Sequence, residues 1–246
     1  MRGVVLAGGS GTRLRPLTHT GPKQLIPIAN KANILYCIDD LRDAGITEIG
    51  IILGENMPEK VVDLLGDGSK FGVKIEYIKQ GAPKGIAHAV GCARDFVGEE
   101  PFVVYLGDNI LMGGIKEMVR RFEDPKIECQ VALCPVAHPE RFGVAEVDET
   151  GKILGLDEKP AKPKSNLALI GIYFFRGSIF PVISELKPSK RSELEITEAI
   201  DNLRKGGANV KAEVVSGWWK DTGRPEDILE ANRLVLSNIA TKIDGE

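Results

Sequence analysis

Histidine and cysteine are scarce in this chain, and neither is arranged for the chemistry it usually serves. The 246 residues hold three histidines, His19, His88 and His138, and four cysteines, Cys37, Cys92, Cys129 and Cys134. The histidines lie far apart and show no zinc-ligand spacing. No two cysteines form a C-x-x-C pair and no secretion signal accompanies them, so the thiols are read as reduced and the protein as cytoplasmic. No apolar run reaches membrane-spanning length, which argues against a membrane partner. The opening MRGVVLAGGSGTRL is too short in its apolar run, and too broken by glycine, for a signal peptide. The net charge of −3 lacks the basic excess of a dedicated nucleic-acid binder.

What is present is ordinary in bulk and patterned in detail. Hydrophobic residues make up 43% and charged residues 27%, as in a globular protein with a sizeable core. The run GVVLAG reads as a continuous apolar strand, and KANILYCIDDLRD (31–43) places Ile34, Leu35, Ile38 and Leu41 on one helical face. EIGIILG reads as a strand and PEKVVDLLG as a short helix with Pro58 at its start. VKIEYIKQ is a third strand, 84–96 a helix and PFVVYLGDN a buried strand. Strand and helix in alternation predict a parallel sheet covered on both faces. After about residue 125 strands dominate, in ECQVALCPV, FGVAEVDETGKILGLDEKP and NLALIGIYFF, with DETGK a hairpin turn and AKPKS a polar loop. Helices return at 177–186, 193–205 and 225–239, with a strand near 209–215.

The densest local signal is VVLAGGSGTRLRPLT, residues 4–18. A strand ending in glycines presents bare N–H groups that a phosphate can approach. A tight strand-to-helix turn needs glycine equally. Arg13, Arg15 and Lys23 close by favour an anion. The loop is not a P-loop, which needs G-x-x-x-x-G-K-[ST]. Nor is it the dinucleotide fingerprint, because Leu14 stands where a further glycine is required.

That loop, followed by PKQLIPI, resembles the entry motif of the sugar-phosphate nucleotidyltransferases, and of their thymidylyl-transferring branch in particular. The likeness continues in register through YLGDN, FGVAEVD, LDEKP, GIYFF, ELEIT and WWKDTG, so it covers nearly the whole chain. It implies an α/β fold with a Rossmann-like, mostly parallel central sheet, helices on both faces and a strand-rich second half that binds sugar. It implies one nucleotidyltransferase domain over 1–246, with the nucleotide bound by about the first 125 residues and the sugar phosphate by the rest. The implied reaction joins dTTP (or UTP) to glucose 1-phosphate with Mg²⁺ and releases pyrophosphate. In that picture Leu6, Gly8, Gly9, Gly11, Thr12 and Arg13 wrap the nucleotide. Lys23 and Gln24 line the same site, and Gln80 and Gly85 meet the base. Asp108 and Asp221 hold the metal, and Arg13, Lys23 and Asp108 form the catalytic set. Gly143, Glu158, Lys159, Gly171 and Trp219 take the sugar phosphate. A homo-oligomer is compatible with the resemblance.

Read without the resemblance, several of these residues have plainer roles. Asp108 ends a buried strand at the carboxyl edge of the sheet, where ligands bind such sheets, but strand termini also carry capping carboxylates. Asp221 fits a cap or turn before a helix near Pro225 equally well. Glu158 and Lys159 suit a solvated hairpin end. Gln80 suits an exposed loop, although its amide offers both donor and acceptor to a base edge. Ser192 and Glu195 match a capping box, S-x-x-E. His88 is read as a helix-surface or satisfied buried histidine, and Trp219 as pocket wall or core. No serine, cysteine or histidine constellation suggests a covalent intermediate. The alternative from another class is a non-catalytic nucleotide-sugar sensor. The chain stops one helix after Asp221, where many of the resembling proteins carry a β-helix or further helices, so acyltransferase activity and a tail-borne allosteric site are not expected.

Overall fold

The hydrophobic patterning resolves into one twisted sheet that runs through both halves of the sequence. It was obtained as a computed structural model that describes residues 1–149 and 151–239. In chain order the first half carries β1 (Arg2–Ala7), β2 (Pro27–Ile28), β3 (Lys31–Ala32), α1 (Ile34–Asp43), β4 (Glu48–Leu53), α2 (Pro58–Leu65) and β5 (Lys74–Lys79). Then come α3 (Ile86–Cys92), α4 (Arg94–Val97), β6 (Phe102–Leu106), β7 (Asn109–Leu111) and α5 (Lys116–Phe122). The second half adds β8 (Cys129–Pro135), β9 (Gly143–Val147), β10 (Ile153–Glu158), β11 (Leu167–Phe175), α6 (Ile179–Glu185), α7 (Ile196–Lys205), β12 (Val210–Val214), β13 (Trp219–Asp221) and α8 (Pro225–Ser237).

Among the described residues nine strands form the main sheet, in the path β10-β9-β11-β6-β1-β4-β5 with β8 pairing β11 and β12. β6, β1, β4 and β5 are mutually parallel. The sequences of β6, β1 and β4 are mostly apolar because helices cover both faces, whereas the edge strand β5 carries Lys74, Glu76 and Lys79. On one face Val4, Leu6 and Ile52 pack with Val90 of α3, Ile183 of α6 and Ile200 of α7. On the other, Val5, Ile51 and Tyr105 pack with Ile38 of α1, Val61 of α2 and Met118 of α5. The strand-rich half joins through β11, which runs antiparallel to β6, β8 and β9.

The helix expected at 31–43 begins later. Lys31 and Ala32 pair with Ile28 and Pro27 as a short hairpin, and α1 starts at Ile34. Asn33 makes no capping bond. A cap is worth about 1 kcal/mol, whereas each fully buried aliphatic side chain gives about 1.5–3. Ile34, Ile38 and Leu41 are all 0% exposed, so packing fixes this helix and leaves Asn33 free for the site below. The predicted DETGK turn joins β9 to β10, closed by Gly151 N–H to Asp148 O at 3.0 Å; Thr150 and residues 240–246 lie outside the described residues.

One half-buried carboxyl on α1, Asp40, stands apart from the site. Tyr105 donates its hydroxyl to Asp40 Oδ2 at 2.7 Å. Burial pushes the Asp40 carboxyl up to about 6, with the Tyr105 hydrogen bond opposing. The folded value exceeds the ordinary 3.8, so the protonated form is the one that folding favours. Its contribution is complete below about pH 4 and is lost as pH rises through 6, at about 1.4 kcal/mol per pKa unit. Asp40→Asn keeps the shape and an acceptor for Tyr105. It is expected to stabilise the protein by about 1–3 kcal/mol at pH 8 and to leave stability at pH 4 nearly unchanged, as read by urea unfolding at both pH values.

Candidate active site

The glycine-rich loop leaves the carboxyl end of β1 and has no room for side chains. A Cβ on Gly8 would stand 2.5 Å from Gln80 Oε1, and one on Gly9 would stand 2.9 Å from Lys23 Cε. The loop backbone is thus wedged between two of the predicted site residues. Gly11 takes a left-handed conformation (φ 66°), and its carbonyl accepts the Thr18 hydroxyl at 2.8 Å. Gly11 and Thr12 shape the turn and stand outside the cleft lining. The short helical turn Thr12–Leu14 is anchored by Leu14, 1% exposed. This holds the otherwise exposed Arg13 over the cleft, with its guanidinium beside Gly223.

Asp108 and Asp221 are brought side by side by a ladder of three residue pairs. β13 runs antiparallel to β7 and sets Asp221 opposite Asn109 and Trp219 opposite Leu111. Thr222 locks the join: its N–H and hydroxyl both donate to the Asp108 carbonyl, at 3.1 and 2.8 Å. The Asn33 amide donates to the Thr222 hydroxyl. Thr222 is 2% exposed and Asn33 0%. Asp221 Oδ1 accepts the Gly223 N–H at 2.8 Å, so the turn role and the cleft role coexist in one carboxylate.

Lys23 sits between the glycine loop and these carboxylates and donates to Asp108 Oδ2. Burial pulls its ammonium down, but the Asp108 and Asp221 charges pull it up by more, so it is held charged above the ordinary lysine range. Burial pushes the Asp221 carboxyl up, and the charge on Asp108 adds to that; Lys23, the Gly223 N–H and Arg13 act the other way. Two hard oxygen donors in mutual repulsion, with buried positive charge already recruited beside them, are the donor set that a divalent cation satisfies together with phosphate oxygens.

The opposite wall comes from the β9–β10 hairpin and α7. Glu158 pairs with Gly143 across the hairpin. Its carboxylate accepts the Thr197 hydroxyl at 2.7 Å and Arg191 Nη1 at 2.9 Å. A Cβ on Gly143 would lie 2.7 Å from Thr197 Oγ1 and 3.1 Å from Glu158 Oε2, so glycine there preserves that contact. Lys159 holds a positive φ of 44°, uncommon for a residue with a side chain, and reaches Glu158 Oε1 at 3.5 Å. Gly171 kinks β11 at φ 76° where a Cβ would strike Asn109 Nδ2 at 2.4 Å. Trp219 both lines the cleft and joins the core, packed edge-on to Phe142 with ring centres 5.4 Å apart.

These walls enclose one cleft of ≈ 410 Å³. Apart from Gly11 and Thr12, the predicted site residues all line it, from Leu6, Gln24, Gln80 and Gly85 on one side to Glu158, Lys159 and Gly171 on the other. The capping box at Ser192–Glu195 does not form. Ser192 turns left-handed (φ 58°), α7 begins at Ile196 with no side-chain cap, and the Glu195 carboxylate instead accepts Ser189 Oγ at 2.7 Å. Arg141, Tyr173 and Thr197 also line the cleft and were missed. In sequence Arg141 immediately precedes FGVAEVD, and Tyr173 and Thr197 lie inside GIYFF and ELEIT.

A family model for nucleotidyl transferases matches residues 2–238. The chain belongs to that family. It is 55% identical over all of its length to the low-salt glycan biosynthesis nucleotidyltransferase Agl11 of Haloferax volcanii, of which it spans 69%. It is 48% identical over all of its length to the glucose-1-phosphate thymidylyltransferase of Streptomyces griseus, again spanning 69% of that protein. Among solved structures it resembles a Bacillus anthracis protein described as a glucose-1-phosphate thymidylyltransferase and crystallised with sucrose. The TM-score is 0.91 at 41% identity, with 98% of each chain covered. It also resembles a UDP-glucose pyrophosphorylase crystallised with UDP-glucose, at TM-score 0.84 and 29% identity over 97% of this chain and 99% of that one. It is therefore an enzyme, a nucleotidyltransferase, with the Rossmann-like sheet that the resemblance implies. Among the described residues no helix is long and apolar enough to cross a membrane.

For this nucleotidyltransferase the Thr222 hydroxyl should be worth more than its size. Thr222→Val keeps the volume but leaves a buried amide and carbonyl with fewer partners, a loss of about 1–3 kcal/mol in denaturant unfolding. Thr222→Ser should recover most of it. Equal stability of the Val and Ser variants would mean that packing alone holds the ladder.

Proposed function

We propose that the enzyme transfers a thymidylyl group from dTTP to α-D-glucose 1-phosphate, giving dTDP-glucose and pyrophosphate. The observation that carries this reading is that one cleft holds Lys23, Asp108, Asp221 and the glycine loop on one wall and Glu158 and Lys159 on the other. The names of the Streptomyces griseus and Bacillus anthracis relatives support the choice of nucleotide and sugar. The Haloferax volcanii relative and the UDP-glucose pyrophosphorylase support the nearest alternative, UTP or another sugar 1-phosphate in the same cleft.

Two anions must meet for this chemistry. Each pair of unit charges at 4 Å opposes the meeting by roughly 4 kcal/mol at an effective dielectric near 20. On the nucleotide side the loop N–H groups of Gly8 and Gly9, with Arg13 and Lys23, take the triphosphate. Leu6 and Gln24 floor that site, and Gln80 and Gly85 take the base. On the sugar side Lys159 takes the phosphate, Glu158 accepts sugar hydroxyls, Gly143 and Gly171 admit the ring close to the backbone, and Trp219 closes the wall. Asp108 and Asp221 would hold Mg²⁺, which supplies charge neutralisation on the phosphates and the leaving pyrophosphate. The sugar-phosphate oxygen is itself the nucleophile and attacks the α-phosphorus in line, so the protein's part is alignment and electrostatics. The reading treats the chain as one working domain whose two halves each bring one substrate.

With Mg²⁺ and glucose 1-phosphate present, dTTP is expected to release pyrophosphate faster than ATP or GTP. A panel of four nucleotides against three sugar 1-phosphates reads this directly, and faster turnover with a purine nucleotide sinks the thymidylyl assignment. Asp108→Asn and Asp221→Asn should each lower turnover by roughly 10²–10³, partly restored at high Mg²⁺. Near-normal turnover of either variant at low Mg²⁺ removes that aspartate from the metal site.

A further inference from the structure

We propose that His88, on the first turn of α3, is a positioning residue that takes up the second amide hydrogen of Gln80, whose direction Gly85 O sets, so that Gln80 offers the nucleotide base an acceptor only. The inference rests on the placement of the base at Gln80 given above and goes on to the chemistry that the base must carry.

Gln80 follows β5, and its backbone N–H is bonded to Leu53 O at 2.9 Å, which fixes where the side chain starts. Its Nε2 faces two groups: Gly85 O at 3.4 Å and His88 Nδ1 at 3.3 Å. An amide can be turned end for end, so the neighbours must decide its direction. Gly85 O decides it here. A carbonyl oxygen only accepts, and the opposite orientation would set the Gln80 oxygen against it. Nε2 therefore faces Gly85 O. Its second hydrogen then points to His88 Nδ1, which can receive it only as a lone pair. His88 is thereby assigned as the neutral ring with its proton on Nε2. Burial, and then the Lys84 charge, lower the His88 pKa and so favour that neutral ring.

Both Gln80 donor hydrogens are thus spent inside the protein, and Oε1 is left at Gly8, whose missing side chain makes its room. The base that fits must bring a donor to that oxygen. The N3–H of thymine or uracil does so. Where Oε1 faces position 3, cytosine presents an acceptor there and meets it with repulsion, its own donor lying one position away on the 4-amino group. The sequence suggested that both ends of the Gln80 amide serve the base; the geometry leaves one. His88 touches no substrate, and its effect is carried through Gln80.

The test compares wild type, His88→Leu and His88→Asn. Leucine removes the lone pair that takes the second Nε2 hydrogen and so frees that donor for the base, whereas the Asn Oδ1 replaces Nδ1 as acceptor. His88→Leu is expected to raise KM for dTTP about tenfold and to cut the dTTP-over-dCTP preference in kcat/KM by a similar factor. KM for glucose 1-phosphate and kcat with dTTP should stay within about twofold, and His88→Asn should recover most of the base preference. A structural role alone would lower kcat or raise both KM values together, and an unchanged preference in His88→Leu overturns the proposal. The ¹⁵N resonances of His88 in the intact protein give a second reading that needs no substrate: a proton on Nδ1 of the neutral ring overturns it irrespective of activity. A wild-type enzyme that prefers a purine nucleotide while His88 keeps Nδ1 bare overturns the functional reading and with it the base selection, a pattern distinct from failure of the His88 variants.

Discussion

Everything in the cleft depends on two carboxylates being held closer than they would choose to stand. Asp108 and Asp221 repel, and no local turn can join residues so far apart in sequence. The β7–β13 ladder does it with three residue pairs and a buried hydroxyl that spends both its donor and its acceptor capacity on the join. A ladder so short would not persist alone in water. It persists because Ile110, Leu111 and Trp219 are buried around it and because Lys23 brings a half-buried positive charge to the same spot. Removing that charge leaves a buried and a half-buried carboxylate with only Arg13 to offset their repulsion, which costs more than a pair of exposed ions would. Stability and electrostatic preparation of the site are therefore the same set of contacts.

The position of the ladder follows from the sheet. Parallel strands β6, β1 and β4 all end on one edge, and the loops leaving that edge carry the glycine run and Asp108. The second half reaches this edge through β11, which pairs with β6 beyond the kink at Gly171 and with β9 at Ala168 before it. The kink turns the strand so that its early residues support the β9–β10 hairpin while its late residues extend the main sheet. Glu158 and Lys159 consequently face the glycine loop across the cleft. A side chain at 171 on this kinked backbone would strike Asn109 and press on the strand that aligns Asp221.

Much of this was readable because the signals are long or chemically narrow. Continuous apolar runs such as GVVLAG and EIGIILG mark strands covered on both faces, and the glycines beside Arg13 and Lys23 mark a loop that lines the cleft. What escaped reading is short or non-local. β7 and β13 are three residues each, too few to show a period. The β2–β3 hairpin is two pairs long, so the apolar spacing of α1 was extended back over Lys31 and Ala32. Ser192 and Glu195 carry the letters of a capping box, but the chain enters α7 through a left-handed residue, and the segment's backbone is committed to α3 instead, where Leu194 bonds Lys84 and Ala87. Sequence spacing states which side chains could meet; it does not state which way the chain enters a helix. His88 illustrates the same limit, because its neighbour Gln80 is set by the loop between them and not by helical or strand period.

A division of labour follows for the proposed reaction. The groups assigned to charge, Lys23, Asp108 and Asp221, are buried or half-buried at strand and turn positions whose backbone is hydrogen-bonded on several sides. The groups assigned to recognition, Gln80 with His88 and Glu158 with Thr197 and Arg191, are held by side-chain bonds from a helix or loop. Stabilising charge in a transition state needs dipoles and ions that do not reorganise as the bond forms, which rigid strand ends provide. Recognition needs only that each donor meet an acceptor, which one side-chain partner can set. Exchange of a single recognition partner can then change the base or sugar accepted while the electrostatic frame stands, consistent with the same fold serving relatives named for thymidylyl and uridylyl sugars.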